Sequence, residues 1–112
     1  MKMFKLAFSV SIFIFMLFGV IQAYAIDQEI CESGSKVALY PNGGLMSCVL
    51  KSDFRSNMII CKEKRPISFY GDGQLETCDL AESAKIADQE CKEFAPISFY
   101  PDGKFKSCVK KD

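Results

Sequence analysis

The chain has 112 residues, 14 basic and 14 acidic, with six cysteines and no histidine or tryptophan. Without histidine neither a Ser-His-Asp nor a Cys-His arrangement can be built, and the absence of any Cys-x-x-Cys pair removes the usual zinc and thioredoxin-like spacings. The balanced charge also excludes the basic footprint of a nucleic-acid-binding protein.

Residues 1–25 fall into three zones: Lys2 and Lys5, an apolar run over 6–21, and Ala23-Tyr24-Ala25 with small residues at the two recognition positions. That order predicts a secretory signal helix cleaved after Ala25. The competing reading is a membrane anchor, since the apolar run approaches the roughly 17 residues that cross a bilayer. No basic stop-transfer cluster follows it, and no cysteine beside the cleavage site invites a lipid. Cleavage removes two lysines and leaves residues 26–112, with 12 basic and 14 acidic groups. A net charge of −2 predicts no membrane contact after cleavage and no nucleic-acid partner.

A chain of this size is a single domain that buries too little apolar surface to be comfortably stable unaided. All six cysteines, Cys31, Cys48, Cys61, Cys78, Cys91 and Cys108, lie beyond the cleavage site, in a chain addressed to a compartment where disulfides persist. A disulfide framework is therefore expected over free thiols or a metal, and no cofactor is predicted.

Cys31, Cys61 and Cys91 are thirty residues apart, and so are Cys48, Cys78 and Cys108. This period divides the domain into three repeats, 31–50, 61–80 and 91–110. Residues 36–45 (KVALYPNGGL), 66–75 (PISFYGDGQL) and 96–105 (PISFYPDGKF) align without a gap. Segments 61–80 and 91–110 share eleven of twenty positions; the first is divergent, as a capping repeat would be.

Each repeat predicts a β-hairpin. In the third, Ile97 and Phe99 alternate with Ser98 and Tyr100, as on a strand with one buried face. Pro101 presets φ at the first corner, Asp102 can bond its own backbone, and Gly103 supplies the left-handed residue of a type I turn with a bulge. Asn42 with Gly43 and Asp72 with Gly73 repeat the pattern. Second strands are expected over 45–50, 75–80 and 105–109. Leu75 and Cys78 are three apart, so both are buried only if a bulge intervenes. Weaker strands are expected over 58–61 and 86–91, with polar connectors at 51–57 and 81–85, the latter able to form a helical turn. The predicted class is all-β: three tandem antiparallel hairpins in a small curled sheet or short solenoid, stapled by disulfides.

Residues 99–105 and 69–75 resemble MORN-type and related bacterial FYxDGxL repeats, from which the chain departs in lacking tryptophan and in its paired cysteines. The resemblance covers the hairpins, about a third of the exported chain, and implies an elongated stack of hairpins used for binding or scaffolding. It carries over no functional residue, because the shared positions build the hairpin.

The equivalence of Asp72 and Asp102 with Asn42 favours a turn role over acid–base catalysis, since asparagine keeps the turn and loses the acid. Tyr40, Tyr70 and Tyr100 recur at one position and form a potential binding surface for a protein or glycan, or else cover the next hairpin. Residues 62–65 read as a solvated loop. No enzyme is expected. The preferred reading is a secreted or periplasmic repeat module for binding or envelope scaffolding; the alternative is a small disulfide-rich inhibitor or effector presenting the singular loop 51–57. Equal separations favour Cys31–Cys48, Cys61–Cys78 and Cys91–Cys108, against a rival set joining Cys48 to Cys61 and Cys78 to Cys91. The favoured set requires each repeat to curl.

Overall fold

The structure is a computed structural model that describes residues 26–56 and 58–112. The expected signal segment, residues 1–25, lies outside them. The described chain is all-β apart from a short 3-10 helix, Gln28–Ile30, capped by the Asp27 carboxylate accepting from Glu29 N–H at 3.1 Å. Ten strands follow: β1 (Ala38–Leu39), β2 (Leu45–Val49), β3 (Phe54–Ser56), β4 (Ile59–Cys61), β5 (Pro66–Phe69), β6 (Leu75–Asp79), β7 (Ala84–Ile86), β8 (Gln89–Cys91), β9 (Pro96–Phe99) and β10 (Phe105–Cys108).

The predicted hairpins do not stand separately. They join into one six-stranded antiparallel sheet in the order β1-β2-β5-β6-β9-β10, accompanied by two two-stranded sheets, β3-β4 and β7-β8. The reason is the open backbone edge that every isolated hairpin presents. Here the second strand of one segment pairs with the first strand of the next: Cys48 opposes Ile67 and Cys78 opposes Ile97.

The turns follow the local chemistry. Gly43, Gly73 and Gly103 have φ of 86°, 91° and 89°, where a Cβ is disfavoured. The side chains of Asn42, Asp72 and Asp102 accept from the backbone N–H two residues on, at 2.9, 3.1 and 2.9 Å. After each turn the register slips by one residue: Phe69 faces Leu75 but Ser68 faces Thr77, so Glu76 is the extra residue of a bulge. The bulge puts Leu75 and Cys78 on the buried face together, at 5% and 2% exposure, which a regular strand cannot do.

The segments 51–57 and 81–85, expected as polar connectors, contribute strands instead, and 81–85 forms no helical turn, while the strand expected over 58–61 is present as Ile59–Cys61. Phe54–Ser56 and Ala84–Ile86 are strands, paired with Ile59–Cys61 and Gln89–Cys91. The expected strand 86–91 is broken by a tight turn in which Ala87 and Asp88 have φ of 49° and 65°. Packing overrides propensity here: Phe54 meets Phe69 edge-on at 6.0 Å between ring centroids, so the small hairpin covers the apolar face of the large sheet.

Between these layers lies the core, with Leu45, Leu50, Ile67, Phe69, Leu80 and Ile97 at most 1% exposed. Full burial of each such side chain is worth about 1.5–3 kcal/mol. Three disulfides staple the layers, Cys31–Cys48, Cys61–Cys78 and Cys91–Cys108, with Cα separations of 5.8, 5.7 and 5.6 Å. Cys61 forms an antiparallel bridge to Leu80, two residues beyond Cys78, so the return of β4 brings the two cysteines together. Cys31 with Leu50 and Cys91 with Lys110 do the same. The rival set is not formed.

Candidate functional site: the open face of the sheet

The core occupies one face of the six-stranded sheet; the other face is open and repeats its side chains. Following the register across the strands, Ala38 opposes Ser47, Ser47 opposes Ser68, Ser68 opposes Thr77, Thr77 opposes Ser98 and Ser98 opposes Ser107. The result is one row of small residues, five of them hydroxylated, perpendicular to the strands. Ser98 Oγ lies 3.4 Å from Thr77 Oγ1. Sequence reasoning missed this row. Its signal is the serine between Ile and Phe in residues 66–69 and 96–99, which alternation assigns to the outer face, together with Ser47, Thr77 and Ser107 at the same thirty-residue spacing.

Tyrosines flank the row towards the turn end, where they span neighbouring segments. The Tyr40 hydroxyl donates to the Phe69 carbonyl at 2.7 Å, and the Tyr70 hydroxyl donates to the Phe99 carbonyl at 2.7 Å. Tyr40 and Tyr70 are half-buried, so their hydroxyls are structural while part of each ring remains on the surface. Tyr100, whose hydroxyl meets no such carbonyl among the described residues, is 48% exposed. Lys106 lies over its ring, 5.7 Å from the centroid. Burial pushes the Tyr70 phenol above its ordinary range, helped by the negative charge of Glu76 and by the neighbouring phenols of Tyr40 and Tyr100.

The carboxylates of Asp72 and Asp102 hold turn N–H groups, and Asn42 performs the same task. Asn42 also donates across to the Gly71 carbonyl at 3.2 Å, tying two turns together.

Residues 62–65 are more than a solvated loop. Lys64 meets the Glu32 carboxylate at 2.7 Å, Arg65 meets Asp79 at 3.0 Å, and Lys62 sits 5.0 Å from the Phe94 ring centroid. The hydrogen bond to Glu32, followed by its charge, raises the Lys64 amine above its ordinary value. The first and last of these contacts join neighbouring segments, since Glu32 belongs to the first and Phe94 to the third, while Arg65 and Asp79 lie within the second.

The loop singled out as singular is only partly available. Phe54 is turned inward onto Phe69, whereas Arg55 is exposed, as is Met58 just beyond the loop at 78%.

Among the described residues no group of three or more His, Cys, Asp or Glu side chains is placed to hold a metal ion. No helix among them is long and apolar enough to cross a membrane. A shallow depression of about 150 Å³ near the C-terminus is lined by Ser83, Ala84, Lys85, Glu90 and Lys111. No family model matches this chain, and neither a curated protein nor a solved structure does.

Proposed function

We propose that this chain is an extracytoplasmic, non-catalytic binding module: a stack of three thirty-residue repeats whose open sheet face receives an extended protein or glycan. The observation that carries the reading is the cross-sheet row from Ser47 to Ser107, flanked by Tyr40, Tyr70 and Tyr100. Equivalent positions recur every second strand, a spacing of about 10 Å. Small hydroxyls leave room for a ligand to approach the backbone, and aromatic rings supply apolar contact beside them. Such a surface suits a ligand whose own chemistry repeats. Three disulfides and the signal-like residues 1–25 support an oxidising location, periplasmic or secreted.

The test is capture from an envelope extract on the oxidised chain, compared with a Ser68→Lys/Ser98→Lys variant that fills the row with charge. The variant should fold, with its disulfides intact, and lose the captured ligand. Equal capture by both proteins refutes the open face as the binding surface.

A second reading, an inhibitor-like loop, is favoured by the exposure of Met58 beside the exposed Arg55. An Arg55→Ala/Met58→Ala variant separates the two: it abolishes binding only if the hairpin tip is the contact.

A further inference from the structure

The two internal seams of the large sheet are built alike. At the first, Leu50 N–H donates to Arg65 C=O at 3.1 Å, Lys64 N–H to Leu50 C=O at 2.8 Å and Tyr40 OH to Phe69 C=O at 2.7 Å. At the second, thirty residues on, Leu80 N–H donates to Ala95 C=O at 3.0 Å, Phe94 N–H to Leu80 C=O at 2.8 Å and Tyr70 OH to Phe99 C=O at 2.7 Å. Each seam has a giving side, at the end of the second strand, and a receiving side, at the start of the next segment.

Both half-seams recur at the two outer edges of the sheet, unpaired among the described residues. On the C-terminal edge Lys110 and Tyr100 stand where Leu50 and Tyr40, or Leu80 and Tyr70, give their bonds. On the N-terminal edge Gly34, Ser35 and Leu39 stand where Lys64, Arg65 and Phe69 receive them. Among the described residues the Lys110 N–H and C=O, the Gly34 N–H and the Tyr100 hydroxyl make no hydrogen bond. The receiving backbone is already shaped: Gly34 has φ 82°, in the left-handed region that Lys64 (63°) and Phe94 (59°) adopt at the internal seams.

We propose that the C-terminal edge of one molecule docks on the N-terminal edge of another, forming a third seam, so that the chain assembles head to tail with itself. In that seam Lys110 N–H donates to Ser35 C=O, Gly34 N–H to Lys110 C=O and Tyr100 OH to Leu39 C=O, while Ser107 stands opposite Ala38. Charge and apolar surface agree with this occupant. Residues 27–35 carry Asp27, Glu29 and Glu32, the last already paired with Lys64, and no basic side chain, whereas residues 104–112 carry Lys104, Lys106, Lys110 and Lys111 against Asp112 alone. Leu39, Tyr100 and Val109, at 45%, 48% and 44% exposure, all lie on these two edges, while the internal equivalents Phe69 and Phe99 are 1% and 8% exposed. Because the two edges differ, the contact is heterologous, so repetition of it extends a row of molecules unless its rotation closes a ring, and it does not give a two-fold dimer. Lys36, at the position of Pro66 and Pro96, together with the two-residue length of β1, holds the association in the weak, reversible range. The inference stands independently of any ligand on the open face.

Sedimentation velocity on the oxidised, exported chain is the first measurement. Mean size should climb without a plateau as concentration rises, and fall with added salt. Lys110→Pro, which deletes an outward donor at an exposed position, should weaken association at least about tenfold with far-UV circular dichroism unchanged. Tyr100→Phe should weaken it in the same direction. For orientation, an equal mixture of Ser107→Cys and Ala38→Cys chains should cross-link on mild oxidation while neither does so alone. A monomer at every concentration overturns the proposal, as does a closed dimer or cross-linking of either variant with itself. Monomeric behaviour with loss of a captured envelope protein in Lys110→Pro would assign the edge to a different partner, and also overturns it.

Discussion

The hairpins 66–78 and 96–108 share eight of thirteen residues and lie in different surroundings. In the first, Phe69 is 1% exposed, Leu80 just beyond its second strand is fully buried, and the Tyr70 hydroxyl is bonded. In the second, Phe99 is 8% exposed, Cys108 is only half-buried, and Tyr100 stands in solvent at 48%. Tyr70 and Tyr100 are identical in type, yet the first is half-buried and the second exposed. Burial in this protein is therefore conferred by the neighbouring strands as much as by the residue.

Truncations sharpen that contrast most. Phe69→Ala should destabilise by about 3–5 kcal/mol, because the ring is enclosed by the sheet and by Phe54, while Phe105→Ala, on the half-buried C-terminal edge, should cost less than half as much. Equal denaturant midpoint shifts would break the comparison.

Removal of disulfides comes next. Each pair spans a separation of 17 residues, so the chain-entropy contribution is the same, about 3 kcal/mol. The Cys61→Ala/Cys78→Ala variant should nevertheless lose more than Cys91→Ala/Cys108→Ala, since Cys78 is 2% exposed and Cys108 is half-buried. Chemical denaturation of the two double variants measures the difference directly.

A smaller effect is expected where the surroundings do not differ. Gly73→Val and Gly103→Val should each cost about 1–2 kcal/mol through a Cβ in the left-handed region, with Gln74→Val and Lys104→Val close to neutral as controls. Here the internal and terminal hairpins should agree, because the penalty is local. A large disagreement in melting temperature between the two glycine variants would show that the turns, too, depend on neighbours.

The smallest effect belongs to the tyrosines. Tyr70→Phe should cost about 1 kcal/mol and Tyr100→Phe nearly nothing in a dilute chain. An ultraviolet titration of phenolate absorbance adds a second reading, since Tyr70 is held above its ordinary value of 10.0 by burial first and then by Glu76, Tyr40 and Tyr100. The folded state keeps that proton longer than the unfolded one, so this group's contribution to stability is present below the unfolded value and lost as pH rises through the folded value. Tyr70→Phe should remove the contribution of this raised group from the titration.

What was legible in the sequence was legible because its cause is local. A positive φ excludes a Cβ wherever it occurs, so Gly43, Gly73 and Gly103 announce their turns within four residues. The buried pair Leu75 and Cys78 demands a bulge by strand geometry alone, and equal cysteine spacings favour the bonds that form. Phe54–Ser56 and Ala84–Ile86 carry no such signal. Those strands exist because Phe54 finds Phe69 and because Cys61 and Cys91 return beside Leu80 and Lys110.

The open face divides in the same way. Alternation places Ser68 and Ser98 outside, and the thirty-residue period makes Tyr40, Tyr70 and Tyr100 equivalent, which any reader of the chain can see. That two of those hydroxyls are bonded to a carbonyl twenty-nine residues away and the third is not depends on which strand lies alongside, and only the assembled sheet decides it. A repeated sequence specifies a repeated local unit, but which strand lies alongside each copy is decided by pairing across the sheet, between residues far apart in the chain.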